Sequence, residues 1–331
     1  MEALLAGELP AGKGWQYEPK WDGFRCLARR EGADVQLISK SGKPLGRYFP
    51  EMVEVFAALK QDRFLLDGEL IISVGDVLSF DALQLRLHPA ESRVRKLAKE
   101  SPAELMLFDL LSLEGKDLAN KPLSERRAEL EKFHAAIDAP QLKLSPMTLD
   151  RKTALGWLKR SGGALDGVIA KRTDQPYKSG ERAMVKVKPE RTADCVVGGF
   201  RYAEKNDLVG SLLLGLYDDA GLLNHVGFTS AIPAKEREQL TKDLEALIEE
   251  PGFTGSKPGG PSRWRTARSG QWKPLKPKLI VEVKYDQVTA GRFRHGTAIV
   301  RWRPDKDPRQ CTFDQLKPEL RPSELREIFG G

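Results

Sequence analysis

Apolar and polar residues alternate along Phe24–Ala28 and again along Val35–Ser39, on either side of Gly32, which predicts an antiparallel hairpin. Val53, Phe56 and Leu59 form a stripe at helical spacing and predict a helix over Pro50–Lys60. Phe64–Ile72 and Glu104–Leu111 are dense apolar runs that predict buried strands, the first interrupted by Asp67-Gly68-Glu69. Leu123–Ile137 places Leu130, Phe133 and Ile137 on one helical face, with Ser124 as the expected N-cap. Asp150 is expected to cap a further helix that ends at Gly162-Gly163. An Asp166-Gly167 turn then leads into the apolar strand Val168–Ala170.

Beyond Glu190–Asp194, which reads as a hinge, the texture changes to short strands: Cys195–Phe200, Ser211–Tyr217, Leu222–Phe228, Leu279–Tyr285 and Thr297–Arg303. One helix, Ala234–Glu250, interrupts them with Leu240, Leu244 and Leu247 in register. Five strands and a helix suit a small Greek-key barrel of the OB type. The expected organisation is therefore α+β, with a domain of antiparallel sheets and helices over 1–190 and a β-barrel domain over 191–331. A chain of 331 residues is too long for one small core, which agrees with two domains.

Composition narrows the class. No apolar run approaches the roughly 20 residues of a membrane span. The segment Met1–Ala6 lacks a basic region, so no signal peptide is expected and a cytoplasmic, nucleoid-associated protein fits. Cys26, Cys195 and Cys311 lie far apart, which argues against a zinc module and a disulfide scaffold. The net charge of +7 is concentrated: Pro251–Arg303 holds twelve Lys and Arg against Glu282 and Asp286, and the remainder is slightly acidic. A single-sign segment marks an anionic partner, most often nucleic acid, with a solvated basic loop as the alternative. Trp264 and Trp272 interleave with these cations, so phosphates and bases could both be met there.

Candidate chemistry centres on Trp15–Arg25. Lys20 lies between Pro19 and Trp21, two positions before Asp22-Gly23, with Arg25 close by. Desolvation and nearby positive charge both favour the neutral, nucleophilic form of an amine. Asp67 and Glu69 sit between apolar segments, where a carboxylate needs a charged partner or a metal. Lys186 and Lys188 flank Val187 and project from the same strand face, an unfavourable pairing unless an anion lies between them. Gly7–Lys13 nearly spells a phosphate-binding loop, but Gly14 replaces the Ser or Thr that would hold magnesium, and no strand precedes it.

The series Lys20-Trp-Asp22-Gly23-Phe-Arg25, Asp67-Gly68-Glu69, Phe108-Asp109, Asp166-Gly167-Val168, Lys186-Val-Lys188 and Arg303-Pro-Asp305-Lys306 resembles the ordered motifs of covalent nucleotidyltransferases. Within that superfamily the whole chain is most similar to ATP-dependent DNA ligases: the bacterial stand-alone ligase C group and the ligase module of end-joining repair enzymes. The resemblance implies a nucleotidyltransferase (adenylation) domain followed by an OB-fold domain, with no additional DNA-encircling domain. It implies an ATP cosubstrate, Mg2+ or Mn2+, and nicked double-stranded DNA as partner. Lys20 would be the nucleophile that carries AMP before AMP passes to the 5′-phosphate of a nick and the 3′-hydroxyl displaces it.

By the same resemblance, Phe108 and Glu18 would hold adenine, Arg25 and Lys40 would lie by ribose and phosphates, and Lys186, Lys188 and Arg182 would meet the α-phosphate. Glu69 would contact ribose and metal. Asp166, where the family commonly has Glu, would be a second metal ligand with shorter reach. Arg303 and Lys306 would orient the pyrophosphate leaving group in the first step only, which implies a domain rearrangement afterwards. End-joining or other repair proteins are candidate partners, and a monomer suits a nick-sealing clamp. An RNA ligase or a capping guanylyltransferase shares the first motifs and stands as the alternative.

Overall fold

The computed structural model describes residues 1–75, 77–161, 165–204, 206–259, 271–289 and 291–316. The chain divides into two compact units, Met1–Pro189 and a second that begins at Glu190. Trp264 and Gly162-Gly163 lie outside the described residues.

Two sheets build the first unit. The larger is mostly antiparallel and is ordered Asp34–Ser39, Phe24–Glu31, Arg63–Val74, Ala103–Leu113, Lys116–Asp117. The short strand Leu142–Leu144 joins it in parallel to Ala103–Leu113. Its buried side is a core of Phe49, Met52, Phe56, Leu66, Leu70, Leu105, Leu130 and Phe133 under the helices Pro50–Ala57 and Leu123–Ala135. The second sheet has four strands, ordered Ala3–Ala6, Met184–Val187, Leu165–Arg172, Trp15–Trp21. Its first pair is parallel and the others are antiparallel. One side of it packs Tyr17, Val168, Ala170 and Val187 on Ala154 and Trp157 of the helix Arg151–Arg160. Period-two alternation turns Glu18, Ile169 and Lys186, which lie in one row across three strands, to the opposite side.

Several sequence expectations are corrected here. Asp67-Gly68-Glu69 does not separate two strand segments but lies inside one twelve-residue strand, Arg63–Val74, with a bulge between Asp67 and Gly68. Asp166-Gly167 is likewise a bulge within Leu165–Arg172. Ser124 is not the N-cap of its helix: Pro122 precedes the first helical residue, and the free N–H groups of Leu123 and Ser124 donate to the carbonyls of Gln175 and Thr173. Asp150 does cap its helix, accepting from the N–H groups of Lys152 and Thr153.

In the second unit Arg191–Tyr202 is one continuous strand, so the expected hinge at 190–194 is largely strand, paired with Ile280–Tyr285 from Arg191↔Tyr285 onward. The sheet order is Leu223–Thr229, Val209–Tyr217, Arg191–Tyr202, Ile280–Tyr285, Ala298–Trp302. Its two outer strands meet at Thr229 and Thr297, where Thr229 Oγ1 donates to the Thr297 carbonyl at 2.8 Å, and the sheet closes on itself. Val196, Phe200, Leu212, Leu214, Val226, Phe253 and Val281 fill the interior. The α-helix of this unit, Arg237–Glu245, is shorter than expected and follows a 3-10 turn at Ala234–Glu236.

Candidate active site

A cavity of about 260 Å³ lies in the first unit and draws its lining from both sheets. The four-stranded sheet contributes Ala3, Glu18, Lys20, Ile169, Lys171, Met184 and Lys186. The larger sheet contributes Arg25, Glu69 and Phe108, and Lys40 and Glu2 stand beside them. Lys20 is fixed by its neighbours. Trp21 is buried and its Nε1 donates to Ser145 Oγ at 2.9 Å, and Tyr17 Oη donates to the Pro10 carbonyl at 2.8 Å. Anchoring these alternate residues on one side leaves Glu18 and Lys20 on the other. Gly23 explains the Asp-Gly of the same motif: a Cβ there would stand 2.1 Å from the Leu70 carbonyl and 2.9 Å from Glu69 Cγ. Only glycine lets the strand of Lys20 turn against the strand of Glu69.

The nearest partner of Lys20 is an acid, not the expected cation. Its Nζ stands 2.5 Å from Asp166 Oδ2, and the same oxygen receives Lys188 Nζ at 2.9 Å. Burial raises the Asp166 carboxyl, but Lys20 and Lys188 outweigh it and hold the group below its ordinary range. Burial, followed by Lys20, Lys188 and Lys40, pushes the Lys186 ammonium down. The strand Met184–Val187 thus presents a cation short of counter-charge to the cavity. Gly167, at φ 132°, lets the Asp166 strand cross the neighbouring one: a Cβ would stand 2.1 Å from the Val187 carbonyl.

In the wall of the cavity Lys171 and Glu18 form a buried ion pair at 2.7 Å, and Gln16 Nε2 donates to Glu18 Oε1 at 2.8 Å. Lys171 Nζ lies 4.6 Å from the centre of the half-buried Phe108 ring. Arg25 is more constrained than a free phosphate ligand. Its Nε and Nη2 donate to Asp67 at 3.0 and 2.6 Å, Nη2 also reaches Tyr177 Oη at 3.0 Å, and Nη1 donates to the Met1 carbonyl. Asp67 and Asp109 face each other across adjacent strands. Arg25 neutralises the first, and the fully buried Arg126 holds the second through bonds of 2.8 and 2.9 Å.

Glu69 faces the cavity beside this network. Burial raises its carboxyl, with Lys20 and Arg25 opposing, to about 8. A desolvated carboxylate gains most from a hard cation, and an all-oxygen donor suits Mg2+, which binds through one or two carboxylates together with substrate phosphates. Glu69 fits that role. Asp166 could supply the second carboxylate once Lys20 or Lys188 leaves it. Among the described residues no group of three or more His, Cys, Asp and Glu gathers, here or elsewhere, so the protein side of such a site would be Glu69 and Asp166 alone.

Of the remaining sequence candidates, Lys40 is exposed and stands 3.5 Å from Glu2. Arg182 is exposed and does not line the cavity. Arg303 and Lys306 belong to the second unit, where both converge on Asp194: Arg303 Nη1 at 3.0 and 2.9 Å from its two oxygens, Lys306 Nζ at 2.8 Å. Asp305 takes the other edge of the Arg303 guanidinium.

Family models match nearly all of this architecture: the ATP dependent DNA ligase domain over residues 8–188 and the ATP dependent DNA ligase C terminal region over 205–306. The chain belongs to the ATP-dependent DNA ligases. It is 46% identical to DNA ligase C2 of Mycolicibacterium smegmatis, over 96% of this chain and 93% of that protein. It is 43% identical to DNA ligase C of Mycobacterium tuberculosis, over 95% and 92%. A solved Lig E DNA ligase shares the fold at 18% identity, with a TM-score of 0.56, 92% of this chain and 100% of the other being covered. As an ATP-dependent DNA ligase the chain is an enzyme that forms phosphodiester bonds with ATP as cosubstrate.

Reading the ligase from its sequence alone missed Ile169, Lys171, Met184 and Glu2 as cavity residues. Ile169 and Lys171 were within reach, because they stand two and four positions after Gly167 on an alternating strand. Tyr177, in an irregular segment, and the Ala3–Ala6 strand gave no comparable signal. The three cysteines are buried and free, and burial pushes Cys26 up to about 12 and Cys311 up to about 11, which suits packing and not chemistry.

Proposed function

We propose that Lys20 is the adenylyl acceptor of this ligase and that the cavity above it holds ATP. One observation carries the reading. Glu18, Lys20, Ile169, Lys171 and Lys186 share one side of the four-stranded sheet and line one cavity with Phe108 and Glu69. Adenine would lie against Phe108 and Ile169, with Glu18 and Lys171 at its edge. Ribose would lie by Glu69, in the wall that Arg25 ties together. The α-phosphate would meet Lys186, with Lys188 behind it.

In the first step Lys20 Nζ loses a proton to solvent, which reaches it, and attacks the α-phosphorus. A P–N bond forms, the bond from the α-phosphorus to the bridging β-phosphate oxygen breaks, pyrophosphate leaves, and the nitrogen gives up a second proton to solvent. Asp166 keeps its charge and orients the amine. Arg303 and Lys306 would act on the leaving group in this step alone. A magnesium ion held by Glu69, with Asp166 as a second ligand, would supply charge neutralisation at the phosphates. In the second step a 5′-phosphate oxygen of the nick takes the adenylyl group, breaking the P–N bond and returning the lysine. In the third step the 3′-hydroxyl attacks that 5′-phosphorus, the phosphodiester forms and AMP leaves. The chain's residues contribute position and charge.

Nicked DNA would be the substrate, and repair the setting. A relative at 29% identity is named a multifunctional non-homologous end joining DNA repair protein, LigD of Mycobacterium tuberculosis, although this chain spans only 37% of it. No described helix is long and apolar enough to cross a membrane. The test is a mass measurement after incubation with ATP and magnesium, followed by a chase with nicked duplex. Wild type should gain one adenylyl group and lose it to the nick, and Lys20→Ala should gain none. An adduct on the variant would remove Lys20 from this role.

A further inference from the structure

A second concavity, of about 380 Å³, opens in the C-terminal unit and is lined by Phe200, Arg201, Tyr202, Gln271, Trp272 and Lys273. Its construction starts from a glycine. Lys273–Pro274 adds to the strand Arg191–Tyr202 with Gly199 opposite Pro274. A Cβ at Gly199 would stand 2.6 Å from the Trp272 ring, so the missing side chain lets the indole lie down on the backbone of its neighbour. Phe253 supports the ring edge-on at 5.5 Å between centroids. Trp272 keeps partial exposure, and it lines the concavity.

Arg201 supplies the second observation. Its Nε is buried and has no hydrogen-bond partner, and among the described residues no carboxylate pairs with its guanidinium. Burial alone pushes this group down, with no opposing charge to restore it. A half-desolvated cation without a counter-ion is costly and gains from an anion. Lys273 is exposed on the same lining, and Tyr202 Oη, also on it, donates to Glu245 at 2.7 Å. An indole and an unpaired guanidinium in one concavity match a π-surface and a phosphate on one ligand.

We propose that this concavity takes one unstacked nucleotide of a DNA strand, its base on Trp272 and its phosphate on Arg201 and Lys273. The site is built from residues of the second unit, and none of them is among those assigned to ATP in the first; its assignment to DNA rests on the ligase reading above. It would hold a strand where the duplex is opened, so single-stranded DNA is the direct probe.

The full chain is titrated with a fluorescently labelled short single-stranded oligonucleotide, the same strand built from abasic units, and AMP. Arg201→Gln should bind the base-bearing strand about tenfold more weakly and lose about one unit of salt slope. The wild type should bind the abasic strand about tenfold more weakly than the base-bearing one. That arm leaves the indole in place, so it does not depend on a Trp272 variant that could fail to fold. Unchanged affinity and slope in Arg201→Gln, or equal binding of both strands by the wild type, would overturn the site. Displacement of the strand by equimolar AMP would assign it to free nucleotide and overturn the DNA assignment. Adduct formation from ATP, which uses no DNA, is read in parallel. An adduct with unchanged strand binding sinks this site alone, whereas no adduct in the wild type sinks the reading beneath it.

Discussion

Lys20 Nζ and Asp166 Oδ2 stand 2.5 Å apart, and the same carboxylate oxygen also holds Lys188. The amine proposed as nucleophile is therefore oriented by a shared acid before any nucleotide arrives. Replacing Asp166 by Asn keeps the size but removes the charge that aligns both lysines. Asp166→Asn should slow adduct formation by about 100-fold, the scale of a misplaced reacting group. Asp166→Glu keeps the charge on a longer arm and should retain most of it. Timed mass spectra of the adduct decide, and an Asn variant as fast as wild type would show that the pair has no part in alignment.

Removing one member of the buried pair Lys171–Glu18 strands the other. Lys171→Met should destabilise the first unit by about 3 kcal/mol, because Glu18 would remain as an unpaired buried charge. Adding Glu18→Gln should restore much of that loss. Urea unfolding of the single and double variants measures the coupling. Equal stability of the single variant and the wild type would mean that Glu18 finds another partner.

Arg303 and Lys306 share Asp194 in the C-terminal unit, yet their proposed use is on pyrophosphate. Arg303→Ala and Lys306→Ala should each slow adduct formation by about 100-fold, as loss of a charge-stabilising donor does elsewhere. Sealing of a nick that already carries AMP should stay near the wild-type rate. A comparable loss in both assays would move these residues out of the first step.

Acid should weaken the barrel through His225. Burial, then Arg292 and Arg201, lowers its imidazole to about 3, and Arg292 Nη2 lies 2.8 Å from its Nδ1. The unfolded chain would bind the proton at about 6.5 while the native state does not. Stability is therefore whole above about 6.5 and is lost progressively as pH falls toward about 3. Thermal unfolding across that window should show a steeper loss in wild type than in His225→Gln. Parallel curves would assign acid sensitivity to other groups.

Much of the molecule was legible in advance because strands write themselves at period two. The hairpin around Gly32 was expected from alternation and the five barrel strands from a run of short apolar segments, and each appears with ends shifted by a few residues. Asp166-Gly167 was read as a turn but is a bulge within a strand. Its glycine, like Gly23, serves close approach: a Cβ on either would meet a backbone carbonyl at 2.1 Å. Sequence cannot display a clash that glycine avoids. Nor could it reveal that Arg25 is engaged by Asp67, Tyr177 and Met1, since those partners come from three distant segments. Ser124 was a sound cap by composition, but the 173–175 segment reaches the helix start first.

The wall bearing Lys20 is assembled from Ala3–Ala6, Trp15–Trp21, Leu165–Arg172 and Met184–Val187. During synthesis Lys20 is made well before its companions on Leu165–Arg172 and Met184–Val187. The site proposed for adenylation is therefore incomplete in a nascent chain until residue 187 has left the ribosome, and cutting the chain between Trp21 and Leu165 and separating the pieces should abolish adduct formation.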